Sequence, residues 1–111
     1  MKIKPINAAL GAEVTGINLA DLSEQDFQAL YDAWLQYCVL VVRQQSLTEN
    51  SLVSFSKRMG KLELPPASET RVSGDGGASL PEIWTISNVT VKGKAIGALG
   101  NLEADWHSDM S

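Results

Sequence analysis

The sequence predicts a mixed α/β (α+β) fold for a chain of 111 residues. Two amphipathic stretches have helical spacing, and each follows a residue that caps helix N-termini well. Short segments of strand-like composition stand before, between and after these two stretches. The predicted order is therefore strand, helix, strand, helix and then further strands, in one small domain rather than two.

The first elements are short strands followed by a clear helix. Polar and apolar residues alternate over 2–6, and glycines bracket a second extended piece over 11–16. Ser23 can cap a helix whose first turn is acidic, which suits the positive end of the helix dipole. Apolar residues then recur with helical spacing, which predicts one buried stripe packed on a sheet. The stripe consists of Phe27, Leu30, Tyr31, Trp34 and Leu35.

A continuous apolar run, Cys38–Val42, predicts a strand buried on both faces, with Cys38 as an inert small hydrophobe. A second helix is predicted to begin after Thr48 and to end at Gly60, a residue type common just past helix ends. Its apolar face contains Leu52, Phe55 and Met59.

The remaining residues predict loops and strands. Residues 64–81 are rich in Pro and Gly and predict a long loop of the kind that often serves as a lid. A strand is expected over 82–89, a turn over 92–94 and a flexible stretch over 97–100. Residues 105–111 again have strand-like composition.

Composition excludes several classes of function. Nine Lys and Arg residues against thirteen Asp and Glu residues give a net charge of −4, which disfavours nucleic acid as a partner. No apolar run approaches the ~20 residues that span a bilayer, and the N-terminus lacks the apolar core of a signal peptide. The single cysteine excludes an internal disulfide and a multi-cysteine zinc site. We therefore expect a cytoplasmic protein without a membrane partner.

The end of the chain contains a candidate metal-binding pair. His107 is the only histidine, and Asp109 follows two residues later. On a strand these side chains project from the same face about 7 Å apart. An imidazole nitrogen and a carboxylate oxygen together suit Fe(II), Mn(II) or Zn(II). The alternative is a hydrogen-bonded pair on a half-buried strand, with no metal.

Four segments resemble one protein family. Residues 103–111 resemble the Trp-His-x-Asp signature of the taurine dioxygenase (TauD/TfdA) family, whose members are Fe(II)- and 2-oxoglutarate-dependent oxygenases. Residues 11–19, 39–45 and 55–62 resemble further segments of the family in the same order. The resemblance implies an incomplete double-stranded β-helix (jelly roll) with two N-terminal helices packed on the sheet.

The resemblance also implies a site and a reaction. His107 and Asp109 match two ligands of Fe(II), and 2-oxoglutarate and O2 are the expected co-substrates. A small organic substrate would be hydroxylated with release of succinate and CO2. The family's second ligand histidine and its arginine for 2-oxoglutarate lie further along the chain than Ser111. We therefore expect residues 1–111 to be the N-terminal portion of a single domain, truncated just after the His-x-Asp motif and inactive alone.

The sequence leaves alternatives open for both the substrate and the functional class of the protein. Residues of taurine-specific members that contact the sulfonate would fall near Pro65 and Ser68, which argues against taurine. Glu103 aligns with a substrate-contacting asparagine. If it faces the pocket it favours a cationic or hydroxylated substrate, but it can equally be solvated on a loop. The other classes are a non-catalytic fragment or pseudo-enzyme acting as a binding or assembly module, and a zinc hydrolase built on the same His-x-Asp pair. A homo-oligomer is left open for the full-length protein.

Overall fold

The computed structural model describes residues 1–64 and 80–99. The chain divides into two compact units, Met1–Lys61 and Leu62–Ser111. Within the described ranges no helix is long and apolar enough to cross a membrane. The first unit contains β1 (Lys2–Pro5), β2 (Ala12–Thr15), a 3-10 turn (Leu19–Asp21), α1 (Glu24–Tyr37), β3 (Leu40–Val42) and α2 (Glu49–Met59). The second contains β4 (Ile86–Ser87), β5 (Thr90–Val91), β6 (Lys94–Ala95) and β7 (Ala98–Leu99).

The sheet of the first unit has the order β1-β2-β3. Strands β1 and β2 are antiparallel, with Ile3 opposite Val14. Strand β3 lies parallel to β2, with Val41 opposite Glu13. A parallel neighbour requires a crossover connection, and α1 supplies it. The predicted order of two strands, helix, strand and helix is therefore confirmed, and with it the mixed α/β class.

Helix α1 begins where the sequence predicts. The Ser23 hydroxyl accepts a hydrogen bond from the backbone N–H of Asp26 at 3.0 Å. This bond satisfies one of the free donors in the first turn of the helix. Phe27, Leu30 and Ala33 are buried on α1. The core of this unit is completed by Ala12, Val14 and Val53.

The buried stripe of α1 differs from the predicted one. Trp34 is 40% exposed and Leu35 is 63% exposed. Because successive helical residues turn by about 100°, Leu35 stands about 140° away from Leu30 around the helix. The buried face is thus rotated towards Ala33, and Leu35 turns away from it. Trp34 lies on the same side of α1 as Leu30, but it lines an apolar opening between α1, β3 and α2 and is therefore partly exposed.

The predicted buried strand Cys38–Val42 is wrong at its start and in its burial. Cys38 is the exposed C-cap of α1, and its N–H donates to the carbonyl of Trp34 at 2.8 Å. Its φ of +64° is left-handed. The reversal from helix to strand uses the first two residues of the apolar run, so β3 begins only at Leu40. All three residues of β3 are half-buried.

Replacing Cys38 by glycine should stabilise the chain. A residue with a Cβ costs about 1–2 kcal/mol in the left-handed region, whereas glycine adopts it freely. Glycine also gains freedom in the unfolded chain, so we expect a net gain of about 0.5–1 kcal/mol in the free energy of unfolding. Urea denaturation of the 111-residue chain measures it. Cys38→Ala is the matched control, because it keeps the Cβ and should bring no gain. Equal effects of the two substitutions would contradict this interpretation.

Helix α2 also has the predicted boundaries. Thr48 caps it by accepting a hydrogen bond from the N–H of Ser51 at 3.2 Å, and the helix ends before Gly60. Gly60 has a φ of 163°, which is extended backbone that any residue adopts. A left-handed cap is therefore absent at this position. The predicted apolar face is only partly correct: Val53 is buried, Phe55 and Met59 are half-buried, and Leu52 is exposed.

Arg58 joins the end of α2 to the start of α1. Its Nη1 donates to the carbonyl of Leu22 at 2.8 Å, and its Nη2 lies 2.7 Å from a carboxylate oxygen of Glu24. The guanidinium lies 4.1 Å from the centre of the Phe27 ring, which adds a cation–π contact. Phe55 packs against the same ring edge to face at 6.4 Å. These contacts hold the two helices together at one end.

The second unit contains two small strand pairs. Strand β4 pairs in parallel with β7, and β5 forms an antiparallel hairpin with β6. Lys92 and Gly93 have φ values of 51° and 76°, as in a type I′ turn, which confirms the turn predicted here. The strand predicted over 82–89 is reduced to β4. The stretch predicted to be flexible, 97–100, contains β7 instead.

Candidate functional site

The predicted site residues are not among those that the structure describes. His107, Asp109 and Glu103 all lie outside residues 1–64 and 80–99, and so does most of the predicted lid. Within those two ranges, no group of three or more His, Cys, Asp or Glu side chains could hold a metal ion. The metal site therefore stays a prediction from the sequence.

The described element nearest to the motif in sequence is β7, which ends at Leu99. In its pairing with β4, Ile86 is opposite Ala98 and Ser87 is opposite Leu99. Two hydrogen bonds lie at the base of the β5–β6 hairpin. The N–H of Ile96 donates to the carbonyl of Val89, and the N–H of Val89 donates to the Ser87 hydroxyl. The pairing of the backbone is thus defined up to Leu99, the last residue before the motif that the structure describes.

Gly97, directly before β7, makes this pairing sterically possible. It is buried, and a Cβ at this position would lie 2.5 Å from the backbone nitrogen of Ser87 and 2.9 Å from the carbonyl oxygen of Thr85. Both are backbone atoms, which cannot turn aside as a flexible side chain would. The close approach of the two backbones therefore requires glycine.

A polar cavity of about 370 Å³ lies in the first unit, where the parallel strands β2 and β3 end. Such strand ends often bind ligands. Here, however, the charged groups are already paired: Arg43 Nε lies 2.7 Å from a carboxylate oxygen of Glu13. No buried side-chain nitrogen or oxygen in the described ranges lacks a partner. The two charged lining residues are thus paired with each other, and one polar lining residue, Gln45, holds backbone groups.

Gln45 is the clearest case of such a holding role. Its Oε1 accepts from the backbone N–H of Leu19 at 2.9 Å, and its Nε2 donates to the carbonyls of Ile17 at 3.2 Å and Arg43 at 3.0 Å. One side chain therefore connects the segment after β2 to the segment after β3.

Replacing Gln45 by alanine should reduce the free energy of unfolding by about 1–2 kcal/mol, because three hydrogen bonds are lost at a partly buried position. We also expect faster hydrogen exchange at the amide of Leu19. Gln44→Ala is the matched control; its side chain is exposed, and it should change stability by less than about 0.5 kcal/mol. The same loss in both variants, or unchanged exchange at Leu19, would show that Gln45 does not hold these segments.

A second, apolar opening of about 450 Å³ lies between α1, β3 and α2. Its walls are aliphatic and aromatic apart from the thiol of Cys38. We call it the α1–α2 groove; its lining includes Leu30, Trp34, Cys38, Val39, Phe55 and Met59. Among the residues that the structure describes, its lining includes no carboxylate, imidazole or amine.

Comparison with known proteins identifies the class. A family model described as "Taurine catabolism dioxygenase TauD, TfdA family" matches residues 2–111. An (S)-phenoxypropionate/alpha-ketoglutarate-dioxygenase from Sphingobium herbicidovorans is 42% identical over 74 residues, which are 67% of this chain and 26% of that protein. A protein of the same name from Delftia acidovorans is 38% identical over 93 residues, covering 84% of this chain and 27% of its own length.

Similar solved structures are consistent with this family match. A protein from Burkholderia xenovorans, assigned as an alpha-ketoglutarate-dependent taurine dioxygenase, superposes with a TM-score of 0.57 at 31% identity. The match covers 60% of this chain and 24% of that one. AAD-2, solved with Mn(II) and N-oxalylglycine, has the same fold in this region, with a TM-score of 0.54 at 23% identity over 57% of this chain and 25% of its own.

The relatives that match by sequence are thus alpha-ketoglutarate dioxygenases by name. The chain belongs to the TauD/TfdA family, as the resemblance predicted. It spans about a quarter of the length of the relatives that it matches.

Proposed function

We propose that residues 1–111 are the N-terminal part of a single TauD/TfdA-like domain in a longer Fe(II)- and 2-oxoglutarate-dependent dioxygenase. The observation that carries this proposal is the family match, which extends to residue 111 and so includes the His-x-Asp motif. The coverage of the relatives, about one quarter, is consistent with an N-terminal portion. The complete domain would be a jelly roll, of which β1 to β3 with their two helices form one part.

The donor atoms in the motif fit the proposed metal. His107 offers an imidazole nitrogen and Asp109 a carboxylate oxygen, a combination that suits Fe(II). His107 would bind as the neutral imidazole. Two ligands set no unique geometry, so we expect a third from beyond residue 111. When bound, Fe(II) with 2-oxoglutarate supplies the chemistry by which one oxygen atom of O2 enters the substrate and the other enters succinate.

The overall reaction balances as substrate–H plus O2 plus 2-oxoglutarate giving substrate–OH plus succinate plus CO2. The test is succinate formation by the full-length protein, purified without oxygen and supplied with Fe(II). We expect succinate only when O2 and 2-oxoglutarate are both present. Conversion of an organic substrate in the absence of O2 would instead support the zinc hydrolase. The 111-residue chain alone should form none.

For the substrate class, the names of the relatives suggest an aryloxyalkanoic acid as the first compound to test. Such an anion would be repelled by a carboxylate in the pocket, which favours the solvated position for Glu103. We therefore expect Glu103→Gln to leave the KM for (S)-phenoxypropionate within about twofold, as is usual for exposed side chains. A large fall in KM for this acid would place Glu103 in the pocket, and turnover of taurine would refute its predicted exclusion.

The second candidate function is a non-catalytic binding or assembly module. It would be favoured if the reading frame ends after Ser111 in a stably folded product, because the chain then has too few ligands for the reaction. A frame that continues to a second histidine and an arginine favours the enzyme.

A further inference from the structure

We draw no further inference here: the strongest candidate, the polar cavity of about 370 Å³ at the ends of β2 and β3, carries nothing because its two charged lining residues, Glu13 and Arg43, are paired with each other and nothing in the described part of the chain indicates a ligand for it.

Discussion

Replacing Gly97 by alanine should break the pairing of β4 with β7. The new methyl group would lie 2.5 Å from the backbone nitrogen of Ser87 and 2.9 Å from the carbonyl oxygen of Thr85, well inside contact distance. Neither backbone atom can yield unless the strands separate. We expect a loss of about 2–4 kcal/mol in local stability, at the high end for an overpacked position. Hydrogen exchange of the peptide that contains 84–99 measures it.

Two other glycines provide graded controls for this prediction. Gly93 has a φ of 76° but open space around it, so alanine there should cost about 1 kcal/mol through backbone strain alone. Gly60 has neither a left-handed φ nor a neighbour within 4 Å of the added atom, so Gly60→Ala should stay within about 0.5 kcal/mol. If the effect of Gly97→Ala does not exceed that of Gly93→Ala, close backbone contact is not what requires glycine at position 97.

The helices could be predicted well because their signals are local. Ser23 and Thr48 cap the helices that the sequence assigned to them, since each needs only a side-chain oxygen near its own backbone. Periodicity was less informative about burial. It places Trp34 on the same side of α1 as Leu30, but whether that part of the helix is covered depends on elements elsewhere in the chain.

The strands were harder to predict because they depend on distant partners. Composition favoured a long strand over 82–89 and a flexible stretch over 97–100, yet only two residues of each pair in parallel. Nothing local distinguishes Ala98-Leu99 from a loop; its strand state comes from β4, eleven residues or more away in sequence. Likewise Cys38 resembles the start of a strand by composition, whereas the reversal after α1 requires it as a left-handed cap.

The candidate metal site depends on sequence evidence of a different kind. The His-x-Asp pair alone is a weak signal and favours a structural or surface histidine over a metal ligand. The match over residues 2–111 is what favours the ligand, since several segments must agree in order. The described structure contributes only the backbone up to Leu99, through Gly97 and the β4–β7 pairing.

Replacing His107 by alanine in the full-length protein should nearly abolish succinate formation. The change removes one of two proposed ligands for Fe(II), and the loss should exceed the 10–100-fold typical of residues that only support a ligand, so we expect roughly 100-fold or more. Asp109→Ala should behave in the same way. Anaerobic titration with Fe(II) should show weaker metal binding in both variants, which separates loss of the metal from loss of the fold.

The matched control for both variants is Ser108→Ala, which changes the residue between the two proposed ligands. On a strand, successive side chains point to opposite faces, so Ser108 should face away from the metal and its replacement should leave Fe(II) affinity and succinate formation within about twofold. A Ser108→Ala variant as impaired as His107→Ala would contradict convergence of the two ligands from one face of a strand. A His107→Ala variant with normal Fe(II) affinity and activity would remove His107 from the metal site altogether.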